Sequence, residues 1–319
     1  MSEPTTPDLR PLEARALTLA MWGNLFMAVA GLAAGFLSNS NAIMMDGLFS
    51  LIGFFSALLG RRISRRVEAG PDRLRPFGYA ADEAIFITFR SLSLLGLVLF
   101  AVTNAAKNIF DYATGTPPEP LIFGPMIGYF VIIGGTCLGL WFSHRSAWIK
   151  TGRQSDILRL EARASAFDGI ITASAGVGLA LIYVLRDGPL AVIAPVGDSI
   201  IVLFLCLTVI GQYFSGFRAG LGELAGVTAP PDRVALARRS LRPALAEDGG
   251  RLHDLSVMKT GRSFLITAYY DPLRPVTAAE IDALNLRMIR DMREALPGSD
   301  VLLLVTGYPR RWPEEISPF

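Results

Sequence analysis

The chain has 319 residues, of which 51% are hydrophobic and 18% are charged, and its mean hydropathy is +0.42. This apolar excess is typical of a membrane protein rather than of an ordinary soluble domain. The net charge of +2 is too small to indicate a nucleic-acid-binding protein or an acidic partner. Cys137 and Cys206 both lie in apolar runs, which argues against a disulfide framework or a thiolate metal cluster.

Six apolar segments reach the length of about 17–25 residues that a bilayer-spanning helix needs. We predict spans at residues 16–37, 41–60, 81–107, 121–143, 160–184 and 191–214. No cleavable signal peptide is expected, because the residues before the first span are polar and that span is long enough to remain as an anchor.

Basic residues are concentrated in two of the connections between these spans. The connection after the second span contains Arg61, Arg62, Arg65, Arg66, Arg73 and Arg75, and the one after the fourth contains Arg145, Lys150, Arg153 and Arg159. Short loops rich in Lys and Arg stay on the cytoplasmic side. We therefore expect both connections and both chain termini to be cytoplasmic, in a cell (inner) membrane. The arginines at 61–75 could also bind anionic lipid headgroups.

The composition changes near Val227, where a small C-terminal domain is predicted. An amphipathic helix over 233–245 is followed by two strands, 255–258 and 264–270, that are joined by a hairpin turn. A second helix over 277–296 begins with a capping box formed by Thr277 and Glu280, and a third strand covers 301–305. This α-β-β-α-β order predicts a cytoplasmic two-layer α+β domain of the ferredoxin-like, metallochaperone-like kind.

The predicted organisation of the chain is therefore an α-helical membrane protein with four parts. An N-terminal cytoplasmic segment covers residues 1–15, and the six-helix transmembrane domain covers 16–215. The α+β domain covers 216–307, and a tail without structural signal covers 308–319.

Asp168 is the carboxylate that stands out within the predicted spans. It lies about two turns inside the fifth span and is followed by an uncharged apolar run over 170–184. A charge held in hydrocarbon is costly, so such a residue commonly marks an ion or proton path. The alternative is a packing role, in which Asp168 only hydrogen-bonds to a neighbouring helix.

An ordered set of motifs runs along the chain. It comprises residues 34–51, residues 75–79 with Glu83, residues 158–168, residues 197–199, residues 253–255 and residues 270–272. Together, from about residue 16 to 306, these motifs resemble the cation diffusion facilitator (cation efflux) family. The resemblance implies a homodimeric antiporter that exports a divalent cation, usually zinc, against an inward flow of protons.

The family's intramembrane metal site takes two residues spaced i, i+4 from the second helix and two from the fifth. The matching positions here are Phe49, Gly53, Ala164 and Asp168. Of these four, only Asp168 can bind a metal through its side chain, and one carboxylate cannot hold zinc at useful affinity. The resemblance therefore implies that the ordinary zinc site is lost. In the C-terminal domain it leaves two weak metal candidates, His253 and Glu280, while Leu304 and Thr306 stand where the family often has ligands.

Two other carboxylates could replace the missing ligands. Asp46 in the second span and Glu161 in the fifth are expected on opposite sides of Asp168 along the membrane normal. Hydroxyl and amide groups could add oxygen donors, namely Asn24, Ser50, Ser165 and Thr172. An all-oxygen donor set favours magnesium or manganese over zinc. The structural alternative is that Asp46 caps the second helix and that Glu161 pairs with Arg163 or with a loop arginine.

Three further polar residues have mainly structural interpretations. His144 is expected to close the fourth helix at the membrane interface, and His253 precedes a strand. Glu83 is expected to pair with Arg75, with a place in an ion entry path as the alternative.

Two functional hypotheses follow from the sequence. The first is proton-coupled export of a divalent metal cation by a homodimer in the lipid bilayer, with the cation as substrate and no cofactor. The second is a non-transporting scaffold or regulatory protein of the same fold, which could form a heteromer with an intact family member. An enzyme is not expected, because the soluble part has no nucleophile–base set, phosphate loop or cofactor motif.

Overall fold

The computed structural model describes residues 10–67, 71–116, 118–150, 156–185, 188, 192–261 and 263–308, and the following account is restricted to them. Three regions that carried predictions lie outside the described residues, namely residues 1–9, residues 153–155 and residues 309–319.

Six long helices make up the first part of the chain. They are α1 (Arg10–Ser38), α2 (Asn41–Val67), α3 (Ala80–Ala113), α4 (Phe123–Lys150), α5 (Asp156–Leu185) and α6 (Gly197–Leu224), the last preceded by a single 3-10 turn. Each is long and apolar enough to cross a membrane, which confirms the six predicted spans. Several helices extend past the predicted ends, because the polar residues that follow the apolar core are still good helix formers.

The connections between α1 and α2, α3 and α4, and α5 and α6 lie at the same end of the helices, called here the α1–α2 end. Asn39 Nδ2, in the turn between α1 and α2, donates to the carbonyl oxygen of Pro120 at 3.3 Å. The hydroxyl of Tyr112, near the end of α3, donates to the carbonyl oxygen of Val192 at 2.7 Å. The first bond joins the α1–α2 connection to the α3–α4 connection, and the second joins the end of α3 to the α5–α6 connection.

Helix α2 packs against two sets of neighbours. Its Ile43 belongs to an apolar cluster with α1, α4 and α5, and its Ala42 and Met45 belong to a second cluster with α3 and α6. The contact with α1 is very close, since a Cβ at Gly31 would lie only 2.6 Å from the Cα of Gly47. Small residues allow such close helix approach in membranes. A polar residue in the first turns of α2 therefore lies within reach of several helices.

The C-terminal domain has the predicted α-β-β-α-β order. Its elements are α7 (Pro231–Asp248), β1 (Arg251–Thr260), β2 (Ser263–Asp271), α8 (Ala278–Ala295) and β3 (Ser299–Val305). The sheet order is β1-β2-β3, with β1 and β2 antiparallel and β2 and β3 parallel. The capping box at the start of α8 is present as predicted, formed by Thr277 and Glu280.

The core of this domain lies between the sheet and its two helices. Fully buried strand residues include Val257, Ile266 and Val301, and they pack with the buried methionines Met288 and Met292 of α8. Side chains of a strand alternate between its two faces, so one face of the sheet supplies this core.

The chain divides into two compact units, one comprising Met1–Arg61 with Arg90–Ser215 and the other comprising Arg62–Phe89 with Gly216–Phe319. The second unit thus includes the segment between α2 and α3, which the sequence-based division had assigned to the transmembrane domain. The reason lies in the hairpin turn between β1 and β2. Glu223, at the end of α6, accepts hydrogen bonds from Lys259 Nζ at 2.5 Å and from the backbone N–H of Gly261 at 2.9 Å. A Cβ at Gly261 would lie 2.3 Å from the carbonyl oxygen of Ala80, at the start of α3.

Candidate functional site

Asp46 lies in the second turn of α2 and contacts two other helices. Its Oδ2 accepts a hydrogen bond from the Tyr129 hydroxyl on α4 and a longer one, 3.4 Å, from Thr172 Oγ1 on α5. These three residues line a small crevice whose other walls are apolar, formed by Ala42, Ile43, Phe130, Ile171, Ala175 and Leu205. Helices α2, α4 and α5 therefore meet at this carboxylate.

Asp168 lies one helical turn before Thr172 on the same face of α5, a rise of about 6 Å. Ser165 and Thr172, on either side of it along that face, are 7% and 4% exposed, whereas Asp168 is exposed. The side chain of Asp168 is therefore not enclosed by neighbouring helices, although the residues before and after it on this face are.

The side chain of Asp168 makes no hydrogen bond and no ion pair within the part of the chain that the structure describes. Its electrostatic interactions are with the charges of Asp46, Glu161 and Arg90. Because Asp46 contacts Thr172 while Glu161 lies two turns before Asp168, the three carboxylates follow one another along the helices in the order Asp46, Asp168, Glu161.

Glu161 is half-buried, and the arginine that acts on it is Arg90 of α3. Arg90 is exposed, and no ion pair joins it to a described residue. The structural alternative for Glu161 was an ion pair with Arg163 or with a loop arginine. The pair with Arg163 is not found among the described residues, where Arg163 is exposed. One arginine charge thus lies near two carboxylates without neutralising either through direct contact.

The other three positions at which the family has ligands carry no ligand group. Phe49 is half-buried, and its ring lies 6.0 Å from that of Tyr213 between centroids. A Cβ at Gly53 would lie 3.3 Å from Asn24 Nδ2, and Ala164 is exposed. Of the predicted oxygen donors, the amide of Asn24 therefore lies next to Gly53, a position that the family resemblance matches to a metal ligand.

The N-terminus of α2 is capped by a residue of another helix. Asp198, at the start of α6, is 4% exposed and accepts hydrogen bonds from Ser40 Oγ at 2.6 Å, from the N–H of Asn41 at 2.8 Å and from the N–H of Ala42 at 3.3 Å. The structural alternative that Asp46 caps α2 is therefore wrong. The unpaired N–H groups of a helix lie in its first turn, and Asp46 is in the second.

His144 does not close α4, so the expectation of an interfacial helix end is wrong. The helix continues to Lys150, and His144 is fully buried, with Nδ1 3.3 Å from Ser165 Oγ on α5. Ser165 in turn donates to the carbonyl oxygen of Glu161 at 3.0 Å. The residues after His144 prolong the helix and leave the imidazole in the contact between α4 and α5.

Arg75, in the segment between α2 and α3, was expected to pair with Glu83. It pairs instead with Asp82, in the first turn of α3, at 2.6 Å. The side chains of successive helix residues point about 100° apart, so Asp82 and Glu83 face different directions. Arg75 lies on the side that Asp82 faces. The guanidinium also lies over the ring of Tyr79, 5.1 Å from its centroid. Tyr79 donates to Asp72 at 2.5 Å, and this hydrogen bond lowers the pKa of Asp72.

In the C-terminal domain, Glu280 has a capping role. It accepts hydrogen bonds from the backbone N–H and the hydroxyl of Thr277, both at 2.8 Å, and pairs with Arg274 at 2.8 Å. The backbone hydrogen bond from Thr277, together with these other contacts, lowers the pKa of Glu280 to about 2. His253 lies 3.7 Å from Asp271, between Nε2 and Oδ2. Within the described residues, no three His, Cys, Asp or Glu side chains are grouped so that they could hold a metal ion.

Six helices long and apolar enough to span a membrane, followed by a small α+β domain, define the class of multi-pass membrane proteins to which this chain belongs. The family model for the "Cation efflux transmembrane domain" matches residues 17–225, and the chain belongs to the cation diffusion facilitator family of cation efflux transporters. The family resemblance of the sequence motifs is thus confirmed.

A curated relative, Metal tolerance protein C4 of Arabidopsis thaliana, is 27% identical over 128 residues. The match covers 39% of this chain and 27% of that relative, so the chain spans about a quarter of the length of the relative it matches.

Three polar residues with structural or electrostatic roles in the helices were not singled out by sequence interpretation. Tyr129 and Arg90 each place a polar group in an apolar helix, which is a usable signal, because buried hydroxyls and charges need partners. Asp198 was noted only as part of a motif. Its partner Ser40 lies 158 residues earlier in the chain, and no local pattern reveals such a contact.

Proposed function

We propose that this protein exports a divalent cation in exchange for protons and that Asp168 binds both. The observation that supports this most is the open position of Asp168 between buried neighbours on α5, without a hydrogen bond or ion pair in the described part of the chain. An intramembrane carboxylate without a fixed partner is available for an exchangeable one. Protons and metal ions compete for the same carboxylate oxygens, so protonation releases the metal.

Asp46 and Glu161 serve in this proposal as further carboxylates on the cation path, one on each side of Asp168. Their order along the helices supports a relay rather than a single closed site. Their donors are oxygen atoms of carboxylates and hydroxyls, with Thr172 next to Asp46. Such donors favour magnesium or manganese, which are bound by one or two carboxylates together with retained water, over zinc.

The orientation belongs to the same proposal. The arginine-rich connections follow the C-terminal ends of α2 and α4, whereas the α1–α2 end contains the N-terminal ends of these helices. The positive-inside rule assigns the arginine-rich connections to the cytoplasm. The C-terminal domain is then cytoplasmic, Asp46 lies toward the outer side and Glu161 toward the inner side of a cell membrane. Export would proceed from Glu161 past Asp168 to Asp46, in a homodimer as in the family.

The test is a flux assay in proteoliposomes with a panel of Mg²⁺, Mn²⁺ and Zn²⁺ and a pH-sensitive dye in the lumen. We expect the wild type to move Mn²⁺ or Mg²⁺ with an opposite movement of protons. Asp168→Asn, which keeps the shape and removes the charge, should lose both movements. Glu119→Gln removes an exposed carboxylate at the α1–α2 end and should behave like the wild type.

Equal flux through wild type and Asp168→Asn for every cation would refute the assignment of Asp168. Absence of flux in the wild type, together with stoichiometric co-purification with an intact family member, would instead support the non-transporting scaffold.

A further inference from the structure

The hydrogen bond between Tyr129 and Asp46 gives the tyrosine a role in the proposed transport. We propose that Tyr129 is a positioning residue for cation binding: it holds one oxygen of Asp46 so that the other is presented to the cation. This inference rests on the proposed function and adds a residue from α4, a helix from which the family's four-ligand site takes nothing.

Both donors of Asp46 act on the same oxygen. Tyr129 OH and Thr172 Oγ1 each donate to Oδ2, and no described residue donates to Oδ1. Apart from these two hydroxyls, the crevice that Asp46 lines is apolar. The carboxylate therefore has one satisfied oxygen and one with free lone pairs, which is the arrangement of a monodentate ligand for a hard cation.

The position of the Tyr129 hydroxyl is fixed by packing. The side chain is 4% exposed and belongs to the apolar cluster of α1, α2, α4 and α5, and its ring meets that of Phe130 edge-on with centroids 5.4 Å apart. A ring enclosed in this way has little rotamer freedom, so it holds Asp46 without the ordering cost that a mobile donor would add on binding. The Tyr129 hydroxyl is also a neutral donor, so it satisfies one oxygen of Asp46 without competing with the cation. An arginine in its place would compete, because it carries a positive charge.

The distinguishing variant is Tyr129→Phe, which deletes one oxygen and keeps the ring in the core. Loss of a hydrogen bond to a charged group corresponds to about a tenfold rise in the apparent KM for Mn²⁺, with Vmax and the thermal unfolding temperature unchanged. Thr172→Val, which removes the longer bond to the same oxygen, should raise KM less, and Thr172→Ser should restore the wild-type value. Tyr112→Phe is the matched control, because it also deletes a hydrogen-bonded hydroxyl, but one that donates to Val192 in the α5–α6 connection.

The outcomes separate this inference from the proposed function. A wild type that neither transports nor binds a cation refutes the proposed function. If the wild type is active and Tyr129→Phe retains its KM, or loses Vmax and thermal stability at unchanged KM, only the positioning role is overturned. Calorimetric titration of the detergent-purified proteins with Mn²⁺ gives the same comparison without transport, as about a tenfold change in dissociation constant.

Discussion

Removal of the Asp198 carboxylate should destabilise the first of the two compact units, called here the helical unit, because this side chain of α6 caps the N-terminus of a different helix, α2. In Asp198→Ala, the hydroxyl of Ser40 and the N–H groups of Asn41 and Ala42 lose their acceptor. All of this happens in a nearly closed environment, since Asp198 is 4% exposed and Ser40 is 1% exposed. Water therefore cannot replace the lost acceptor fully.

Two opposing effects determine the size of the loss. Loss of an N-cap costs about 0.5–2 kcal/mol, and a partly buried charge at a helix N-terminus contributes up to about 2 kcal/mol. Against this, the variant no longer has to bury a carboxylate. Removing only one partner leaves the donors buried and unsatisfied, at about 1–3 kcal/mol, so the loss outweighs the gain. We expect Asp198→Ala to lose about 2–4 kcal/mol, and Asp198→Asn, which keeps one acceptor oxygen, to lose about half of that.

The free energy of unfolding can be measured in mixed micelles, with an increasing fraction of sodium dodecyl sulfate and tryptophan fluorescence as the signal. Trp22 in α1 and Trp141 in α4 report on the helical unit. Glu119→Gln is the control at the same end of the helices. If Asp198→Ala unfolds within about 0.5 kcal/mol of the wild type, the size of an ordinary surface substitution, the capping argument is refuted.

Two further predictions concern the second unit. Gly261→Ala should lower the unfolding temperature of this unit clearly, because Gly261 has φ of 59° and the new Cβ would lie 2.3 Å from the carbonyl oxygen of Ala80. Gly249→Ala is the control for the backbone angle alone, since Gly249 has φ of 80° and open space around it. An equal fall in unfolding temperature in both variants would contradict the steric argument. The lowered pKa of Glu280 means that its capping contribution is present above pH 4.5 and is lost as pH falls toward 2. Amide exchange in α8 of the full chain should show that step in the wild type and lack it in Glu280→Gln; a step that persists in the variant would exclude Glu280 as its origin.

The fold could be predicted to a large extent because its signals are local. Length and apolarity give the six spans, and alternating or helical periodicity gives the elements of the C-terminal domain. The capping box of α8 is complete within four residues, Thr277 to Glu280, and it was found. Contacts between distant segments gave no such signal, which is why the cap of α2 by Asp198 was missed. The pairing of Arg75 with Asp82 is local, but the choice between the neighbouring carboxylates Asp82 and Glu83 depends on which side of α3 Arg75 lies.

For the candidate site, the three carboxylates and their order along the helices could be predicted, but the side chains that contact them could not. Asp46, Asp168 and Glu161 could be picked out because charges are rare within apolar helices. Their partners could not be assigned, because which helix faces Asp46 depends on how α2, α4 and α5 pack. For the same reason His144 was expected at the end of α4, although it is buried against α5.

The proposed preference for a hard cation depends on three positions, matched by the family resemblance to metal ligands, that carry no ligand side chain here. Phe49 packs against Tyr213 and Gly53 faces Asn24, so neither position can recover a charged ligand without repacking. A cation at Asp168 would then be held by one or two carboxylates and would keep much of its water. Such a site binds weakly and prefers ions that shed water reluctantly. Under the proposed function, weak binding suits export of an ion that is abundant inside the cell better than removal of a trace metal.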